Sequence, residues 1–314
     1  MTRNDSTTTT RRAGRTRIRT LASALVAVGT AFSVCGVSVC ALGATTAHAQ
    51  VLAPDASPAF PSSSTSSSTT PTPAARAAGI TGAGTAYMGW SSHVAGRGGA
   101  PAAAPMTTSA VTPGIDVSSY QGNVDWASYW SQGKKFAYVK ATENTNYTNP
   151  YFSQQYSGSY NVGMTRGSYH FATPNTTSGA TQANYFVDHG GGWSADGRTL
   201  PGALDIEYNP YGATCYGLSQ TSMVSWISSF LGTYHSRTGR YPVIYSTFDW
   251  WSTCTGNSSA FASLSPFWIA RYSSSVGSLP AGTAYYTFWQ YSSSPIDQNY
   301  FNGDLSRLHA LATG

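Results

Sequence analysis

The sequence predicts an α/β fold, namely a trimmed, TIM-like (β/α) barrel that forms a single domain over residues 113–314. Short apolar runs recur from residue 114 onward, and the intervals between them leave room for helices. Polar residues stand late in each run. Functional side chains of barrels gather at the carboxyl ends of the strands, so this pattern favours a closed but irregular barrel.

Eight of these runs are candidate strands. In chain order they are Gly114–Ser118, Phe136–Thr142, Arg166–Ala172, Gly202–Tyr208, Tyr241–Thr247, Pro266–Tyr272, Tyr286–Ser292 and a short eighth strand near Ile296. Four stretches between them have helical character, namely Asp125–Gln132, Pro150–Asn161, Ser178–Asp188 and Ser219–Arg237. We expect the later connections to be irregular.

The first 49 residues have the layout of a secretory signal peptide. Arginines precede an apolar stretch from Leu21 to Leu42, and the small-x-small sequence Ala47-His48-Ala49 follows it. A membrane anchor is the alternative, but Gly, Ser and Thr dilute the stretch. We therefore expect cleavage after Ala49 and a secreted, extracellular or wall-associated protein with no stable membrane association.

Residues 50–112 are dominated by Ala, Ser, Thr, Pro and Gly, which do not bury enough apolar surface to fold. We expect a disordered linker or a pro-segment here. Tyr87, Met88 and Trp90 interrupt this composition and would suit a short docking patch. The composition favours an exposed spacer over that alternative.

The charges are divided unevenly along the chain. The net charge is +5, but residues 1–110 hold eight Arg against Asp5 and Asp55. Residues 111–314 hold three Lys and six Arg against eight Asp and two Glu, which leaves them near −1. The predicted domain therefore has no basic footprint, and we expect no nucleic-acid partner.

Two cysteines, Cys215 and Cys254, remain beyond the predicted signal peptide. An even pair in an exported protein predicts a disulfide, which in a loop of about 40 residues stabilises a fold by about 4 kcal/mol. A metal site is the alternative, but it would need further ligands close by, and no His stands near either Cys. We expect neither a metal nor another cofactor.

Two carboxylates interrupt the apolar run Leu204-Asp205-Ile206-Glu207. Residues i and i+2 of a strand point to the same side. Two carboxyl groups in one cleft shift each other's pKa apart, so one donates a proton while the other stays ionised, as glycosidic cleavage requires. A structural ion pair with Arg271 or Lys140 is the alternative.

Three further aspartates stand at the ends of predicted elements. Asp116 ends the first strand, where a barrel would bring it beside the fourth, and Asp297 stands near the last strand. Capping a turn is the alternative role for both. Asp125 is better explained as the cap of the helix that follows it.

Aromatic residues make up 13% of the chain, and many stand on predicted strands. Sugar rings stack on aromatic faces, and a mostly neutral cleft suits an uncharged glycan. Tyr169, Tyr245 and Trp289 stand late in their strands and are candidates for substrate contact. Core packing is the alternative, which we expect for Tyr138, Trp268 and Tyr291.

Other chemistries lack their motifs. The histidines beyond the spacer show no metal-ligand spacing, which disfavours a zinc amidase or endopeptidase. The chain has neither a Gly-x-Ser-x-Gly nucleophile elbow nor a phosphate-binding glycine-rich loop.

Taken together and in order, the motifs resemble those of glycoside hydrolase family 25 lysozymes, which are secreted N-acetylmuramidases. The resemblance covers nearly all of residues 113–312. It is carried by Gly114–Ser118, Tyr120–Gly122, Ala137–Glu143, Arg166–Phe171, Leu204–Glu207, Tyr245 and Phe288–Tyr291. The resemblance implies a monomeric catalytic domain that cuts the β-1,4 bond between N-acetylmuramic acid and N-acetylglucosamine in peptidoglycan strands.

The resemblance also implies roles for individual residues. Glu207 would be the general acid, assisted by Asp205 and Asp116, with Asp297 as a fourth acidic residue of the cleft. The implied substrate-binding residues are Tyr120, Tyr169, Tyr245, Trp289 and Gln290. Two routes stay open, because the carboxylates either activate water directly or orient the acetamido group of the substrate.

Two other functions remain alternatives to a muramidase. One is a non-catalytic barrel that binds cell walls through a glycan cleft, and the other is a hydrolase of chitin-like glycans. Release of new reducing ends from purified walls separates the first from an enzyme. The identity of the newly exposed sugar separates the second from a muramidase.

Overall fold

The computed structural model describes residues 69–94 and 110–314 of the chain. The predicted signal peptide, residues 1–49, lies outside the described residues, as does much of the predicted linker. Within the described ranges, no helix combines the length and apolar character that a bilayer span requires.

Eight of the nine strands in the described residues close into a barrel, which confirms the predicted fold class. The nine strands are β1 (Thr112–Val117), β2 (Phe136–Glu143), β3 (Tyr147–Thr148), β4 (Thr165–Phe171), β5 (Ala203–Asp205), β6 (Val243–Thr247), β7 (Phe267–Ala270), β8 (Phe288–Ser292) and β9 (Gln298–Phe301). The ring runs β1-β2-β4-β5-β6-β7-β8-β9 and returns to β1, while β3 is attached to β2. Within the ring, all neighbours are parallel except β9, which is antiparallel to β8 and β1.

The last strand of the ring differs from the prediction in position and direction. It begins at Gln298 rather than near Ile296, and it runs against its neighbours. The carboxyl ends of the parallel strands and the amino end of β9 therefore meet at one end of the barrel, which we call the mouth. The reversal places Asp297, just before β9, at this same end.

Seven α-helices lie in the described part of the chain. They are α1 (Pro73–Ala77), α2 (Trp126–Ser131), α3 (Phe152–Asn161), α4 (Gly179–Phe186), α5 (Gln220–Thr238), α6 (Phe248–Thr255) and α7 (Leu305–Thr313). Helices α2 to α5 match the four predicted ones to within two residues at each end. The longest, α5, begins after the cap Ser219 and ends at Gly239, whose positive φ stops the helix.

Helices α6 and α7 contradict the expectation of irregular late connections. Helix α6 is rich in aromatic, Ser and Thr residues, which are weak helix formers. Burial of Trp250 and Trp251 and a cap at Thr247 hold it in place. Helix α7 begins after the cap Asp304 and buries Leu308 and Ala312. Tertiary packing therefore outweighs local propensity in α6, whereas the Leu and Ala residues of α7 favour a helix by themselves.

Large aromatic side chains fill the barrel. Tyr138 and Trp268, which we expected in the core, are fully buried with ring centroids 4.8 Å apart. Tyr169 and Tyr245 belong to the same cluster. Such a packed interior leaves the mouth as the place where polar side chains of the strands gather.

The predicted disulfide is present. Cys215, in the connection after β5, bonds Cys254 in α6, and their Cα atoms are 5.3 Å apart. The bridge closes a sequence separation of 39 residues and so fastens that connection to the helix that follows β6.

Residues 69–94 are folded against the mouth, and we call them the covering segment. They contain α1 and a single 3₁₀ turn, Trp90–His93. Tyr87, Met88 and Trp90 are at most 5% exposed. The prediction of an exposed spacer is therefore wrong for residues 69–94. The few large apolar residues of this segment are concentrated where they contact the barrel.

Candidate active site

Four carboxyl groups meet at the mouth. Asp116 belongs to β1, Asp205 ends β5, Glu207 follows β5 by two residues, and Asp297 precedes β9. All four are at most 5% exposed. They raise one another's pKa through electrostatic repulsion, which shows that they form a single cluster.

A network of amides and phenols holds Asp116. Its Oδ2 accepts hydrogen bonds from Gln290 Nε2 at 2.9 Å and from Asn299 Nδ2 at 2.7 Å. Gln290 Oε1 in turn accepts from the hydroxyls of Tyr245 at 2.6 Å and Tyr272 at 2.9 Å. The amide is therefore fixed with its N–H group toward the carboxylate.

Asp205 and Glu207 stand close together but have different partners. Both carboxyl oxygens of Asp205 are buried without a hydrogen-bond partner among the described residues. Glu207 Oε1 accepts from Gly89 N at 2.6 Å, and Oε2 accepts from Ser91 Oγ at 3.2 Å. Asp205 is thus the carboxyl group with free acceptor capacity, while the covering segment occupies Glu207.

Burial sets the protonation of this cluster. Burial raises the pKa of Glu207 to about 8, although the hydrogen bonds from Gly89 and Ser91 oppose the shift. It also raises the pKa of Asp116 to about 7 against the hydrogen bonds from Asn299 and Gln290. Cavities that desolvate neighbouring acids in this way keep a proton available near neutral pH.

The other two aspartates are shifted in the same direction. Burial and the nearby Glu207 raise the pKa of Asp205 well above its ordinary value, although Lys140 opposes the shift. Burial and the charges of Asp116 and Glu207 likewise raise the pKa of Asp297. A cluster of this kind can hold both a proton donor and a proton acceptor.

Residues 115–300 match the sequence model of the family described as "Glycosyl hydrolases family 25". The match spans the barrel from β1 into β9, including all four acids. The chain belongs to glycosyl hydrolase family 25. It is therefore a glycoside hydrolase.

Named relatives of this family 25 chain support that assignment. It is 51% identical to "Lysozyme M1" of Streptomyces globisporus over 243 residues, which covers 74% of this chain and 82% of that protein. It is 50% identical to the "N,O-diacetylmuramidase" of Chalaropsis over 208 residues, which covers 64% of this chain and 99% of that protein. The solved structure of a muramidase from Acremonium alcalophilum matches with 59% identity and a TM-score of 0.64, over 64% of this chain and 99% of that chain.

The predicted aromatic residues of the family 25 chain do not all reach the acids. The hydroxyl of Tyr169 accepts from Met88 N at 3.4 Å, and Tyr245 bonds Gln290 beside Asp116. Trp289 precedes Gln290 on β8 and so faces the opposite side of the strand. Its Nε1 donates to the carbonyl of Arg271 at 2.9 Å.

Tyr120 stands at the rim of the mouth. It lies in the 3₁₀ turn Ser119–Gln121 that follows β1, and it is 65% exposed. Its ring centroid is 5.2 Å from that of Tyr87 in the covering segment. Tyr120 is therefore an aromatic surface at the entrance, whereas Tyr169 and Tyr245 lie deeper.

The structure argues against the alternative roles of the acids. Lys140 Nζ pairs with Glu143 Oε2 at 2.6 Å, and the exposed Arg271 makes no ion pair with Asp205 or Glu207 among the described residues. Ser118, not Asp116, caps the turn after β1. Asp125 caps α2, as predicted, by accepting from Ser128 N at 3.1 Å.

Two residues of the site, Asn299 and Tyr272, were not predicted from the sequence. The structural role of a third residue, Glu143, was not predicted either. Asn299 stands at i+2 from Asp297, a spacing that predicts a shared side of the strand. Tyr272 lies just beyond β7, next to the Arg271 that we singled out. Glu143 was noted only as part of a motif, and its contact with the covering segment follows from no sequence pattern.

No metal site accompanies the acids in the described part of the chain. There, no group of three or more His, Cys, Asp or Glu residues is arranged to hold a metal ion. His170 is buried and bonds Thr142 and Gln182, and its burial lowers its pKa to about 4. It is therefore a neutral, structural imidazole.

Proposed function

We propose that this family 25 chain is an N-acetylmuramidase that hydrolyses the β-1,4 bond between N-acetylmuramic acid and N-acetylglucosamine in peptidoglycan. One observation carries the proposal, namely that Asp116, Asp205, Glu207 and Asp297 share one buried cluster without a paired cation among the described residues. The relatives named lysozyme and muramidase support the choice of glycan.

Glu207 is the proton donor in this proposal. With the covering segment in place, burial raises its pKa to about 8 and keeps the carboxyl group protonated at neutral pH. A glycan that takes the place of the segment would bury the same carboxyl group. The proton passes to the glycosidic oxygen as the bond between that oxygen and the anomeric carbon breaks. The oxygen of the incoming water bonds to the anomeric carbon, and the one proton that this water releases restores the Glu207 carboxyl group, either directly or after Asp205 has accepted it.

Asp205 and Asp116 assist the donor. Asp205 has two oxygens free of hydrogen bonds among the described residues, so it is available to accept a proton from water or from the acetamido nitrogen of the substrate. Asp116 is fixed by Gln290 and Asn299 and stabilises positive charge at the anomeric carbon. Asp297 completes the acidic wall beside Tyr272.

The aromatic residues supply binding surface. Tyr120 at the rim offers an exposed ring for a sugar. Tyr169, Tyr245 and Gln290 line the floor around Asp116, and Trp289 supports the rim through its bond to the carbonyl of Arg271. We further propose that the protein is secreted after removal of residues 1–49 and that it acts as a monomer.

The test is the chemistry of the product. Purified cell walls are digested, the new reducing ends are labelled with borohydride, and the labelled sugar is identified. The proposal predicts labelled muramic acid. Labelled glucosamine would indicate a different glycosidase, and binding to walls without new ends would indicate a non-catalytic wall-binding barrel.

A further inference from the structure

The covering segment lies across the mouth and touches its rim on several sides. Thr72 N donates to the carbonyl of Pro210, beyond β5, at 2.8 Å. Trp90 Nε1 donates to the carbonyl of Tyr208 at 3.0 Å. Together with the ring of Tyr87 against Tyr120, these contacts span the mouth from the end of β1 to the loop after β5.

The segment forms hydrogen bonds with the carboxyl group of the proposed proton donor, Glu207. Gly89 and Ser91 place an N–H and an O–H on the two oxygens of Glu207. A glycosidic oxygen that is to receive the proton of Glu207 must approach those same oxygens. The segment and the scissile bond of a glycan therefore exclude each other.

Buried contacts also anchor the residues of the segment that precede Gly89. Lys140 Nζ donates to the carbonyls of Gly84, at 3.0 Å, and Ala86. Gly84 N donates to Glu143 Oε1 at 2.8 Å. Met88, fully buried, packs into the aromatic cluster inside the barrel. Apolar burial and charge-assisted hydrogen bonds together hold a segment closed.

Only glycine fits at the closest point of approach. Gly89 has a φ of +78°, and an added Cβ would lie 2.5 Å from Gln290 Oε1 and 2.6 Å from the hydroxyl oxygen of Tyr272. Both of those side chains belong to the network that holds Asp116. The backbone of the segment is therefore fitted to the floor of the site.

One cavity at the mouth borders the covering segment. A cavity of about 570 Å³ is lined by Gly89, Ser91 and Ser92 on one side and by residues at and beyond the ends of β6 and β7 on the other. None of the four acids lines it. Gly89 and Ser91 thus lie between this cavity and the proposed proton donor.

Two relatives differ in how much of this chain they match. The solved Acremonium muramidase aligns over 99% of its length with 64% of this chain, about 201 residues, close to the length of 110–314. Lysozyme M1 aligns with 74%, about 232 residues, so its similarity extends to the N-terminal side of residue 110.

We propose that the covering segment is an intramolecular inhibitor, which keeps the enzyme latent until residues 69–94 leave the mouth. The inference rests on the proposed function for the nature of the glycan that the segment excludes. If the segment covered the mouth in about nine molecules of ten, the apparent affinity for the glycan and the rate of hydrolysis would fall about tenfold, because only the open molecules bind the glycan.

The test uses the exported chain with a site-specific protease recognition sequence placed within residues 95–109. Binding of a purified tetrasaccharide of alternating N-acetylglucosamine and N-acetylmuramic acid is measured by calorimetry, and wall hydrolysis is measured in parallel. We expect both to rise about tenfold or more after cleavage and removal of the segment. Adding a synthetic peptide of residues 69–94 is expected to reverse both gains.

A matched pair of glycine variants tests the same point without cleavage. Gly89→Val places a side chain against Gln290 and Tyr272, so the uncut variant is expected to bind and hydrolyse like the cleaved chain. Gly82→Ala lies in the same segment but meets nothing within 4 Å, so it is expected to stay latent. Thermal unfolding of both variants reports whether the barrel is intact.

Glycan binding and wall hydrolysis together distinguish a failure of the inhibitor proposal from a failure of the proposed function. If cleaved and uncut chains bind the tetrasaccharide equally, the inhibitor proposal is wrong, whatever affinity they share. If cleavage increases binding but no reducing ends appear, the inhibitor proposal stands and the proposed function fails.

Discussion

The chain contains two glutamates, Glu143 and Glu207, and both are buried at the same end of the barrel. Glu143 ends β2 and has a full set of partners, because Lys140, Gly84 N and the hydroxyl of Tyr211 all bond it. Glu207 follows β5 and has no cation within ion-pair distance among the described residues. Its partners are neutral donors, and its neighbours are other acids.

The difference explains why one acid serves structure and the other is suited to chemistry. A buried carboxylate that is paired and hydrogen-bonded keeps its charge, and removing one partner is costly. A buried acid beside other acids without a counter-ion holds its proton instead. Clusters of the second kind are typical of active sites.

The largest effect is expected for Glu207→Gln in the cleaved chain. Loss of a general acid lowers turnover by about 10² to 10⁴-fold, while the amide preserves the shape of the side chain. Wall hydrolysis measures the loss, and calorimetry with the tetrasaccharide checks that binding persists. Turnover within a fewfold of the parent would show that another group donates the proton.

Glu143→Gln is the matched control, with its main effect on stability. Removing the carboxylate leaves the buried ammonium of Lys140 without its partner, at a cost of about 3–5 kcal/mol in the free energy of unfolding. Urea unfolding of the uncut chain measures this cost. Hydrolysis per folded molecule of the cleaved chain is expected to change little, and a loss as large as that of Glu207→Gln would erase the distinction between the two acids.

The pH dependence of stability sharpens the comparison further. Burial raises the pKa of Glu207 from 4.5 to about 8, so between these values the folded chain keeps a proton that the unfolded chain has released. The free energy of unfolding therefore falls as pH rises through this window, by up to about 1.4 kcal/mol per unit. We expect Glu207→Gln to flatten the slope between pH 5 and 8, and an unchanged slope would assign it to other groups.

The smallest effect is expected at the rim. Tyr120→Ala removes an exposed ring and should raise KM about two- to tenfold with little change in kcat, because a stacked ring contributes similarly in ground and transition states. Tyr285→Ala is the control, since Tyr285 is equally exposed but lines a different cavity, away from the acids. Equal effects of the two substitutions would remove Tyr120 from the binding surface.

The barrel was predictable because its strands are buried on both faces and therefore appear as continuous apolar runs. The direction of β9 was not, because a short strand has the same pattern in either direction. Helix α6 was missed because the buried Trp250 and Trp251 hold it rather than local propensity. Helix α7 was recognisable from its cap Asp304 and its Leu and Ala residues, and the sequence analysis overlooked it.

The site was predictable where spacing alone decides which side chains share a side. Asp205 and Glu207 stand two residues apart, and the strand ends place Asp116 near them. The predicted strand Gly202–Tyr208 was too long, because β5 ends at Asp205 and Glu207 lies beyond it. The covering segment was not predictable, because Tyr87, Met88 and Trp90 gain their burial only from the completed mouth. Its composition, rich in small residues, resembles that of a spacer.

A carboxyl titration by NMR tests the central claim most directly. Because the chain has only two glutamates, ¹³C labelling of glutamate side chains gives two signals, and Glu143→Gln assigns them. In the uncut chain the Glu207 carboxyl is expected to hold its proton at pH 7 and to titrate at about pH 8. A Glu207 signal that is already ionised at pH 6 would contradict the account.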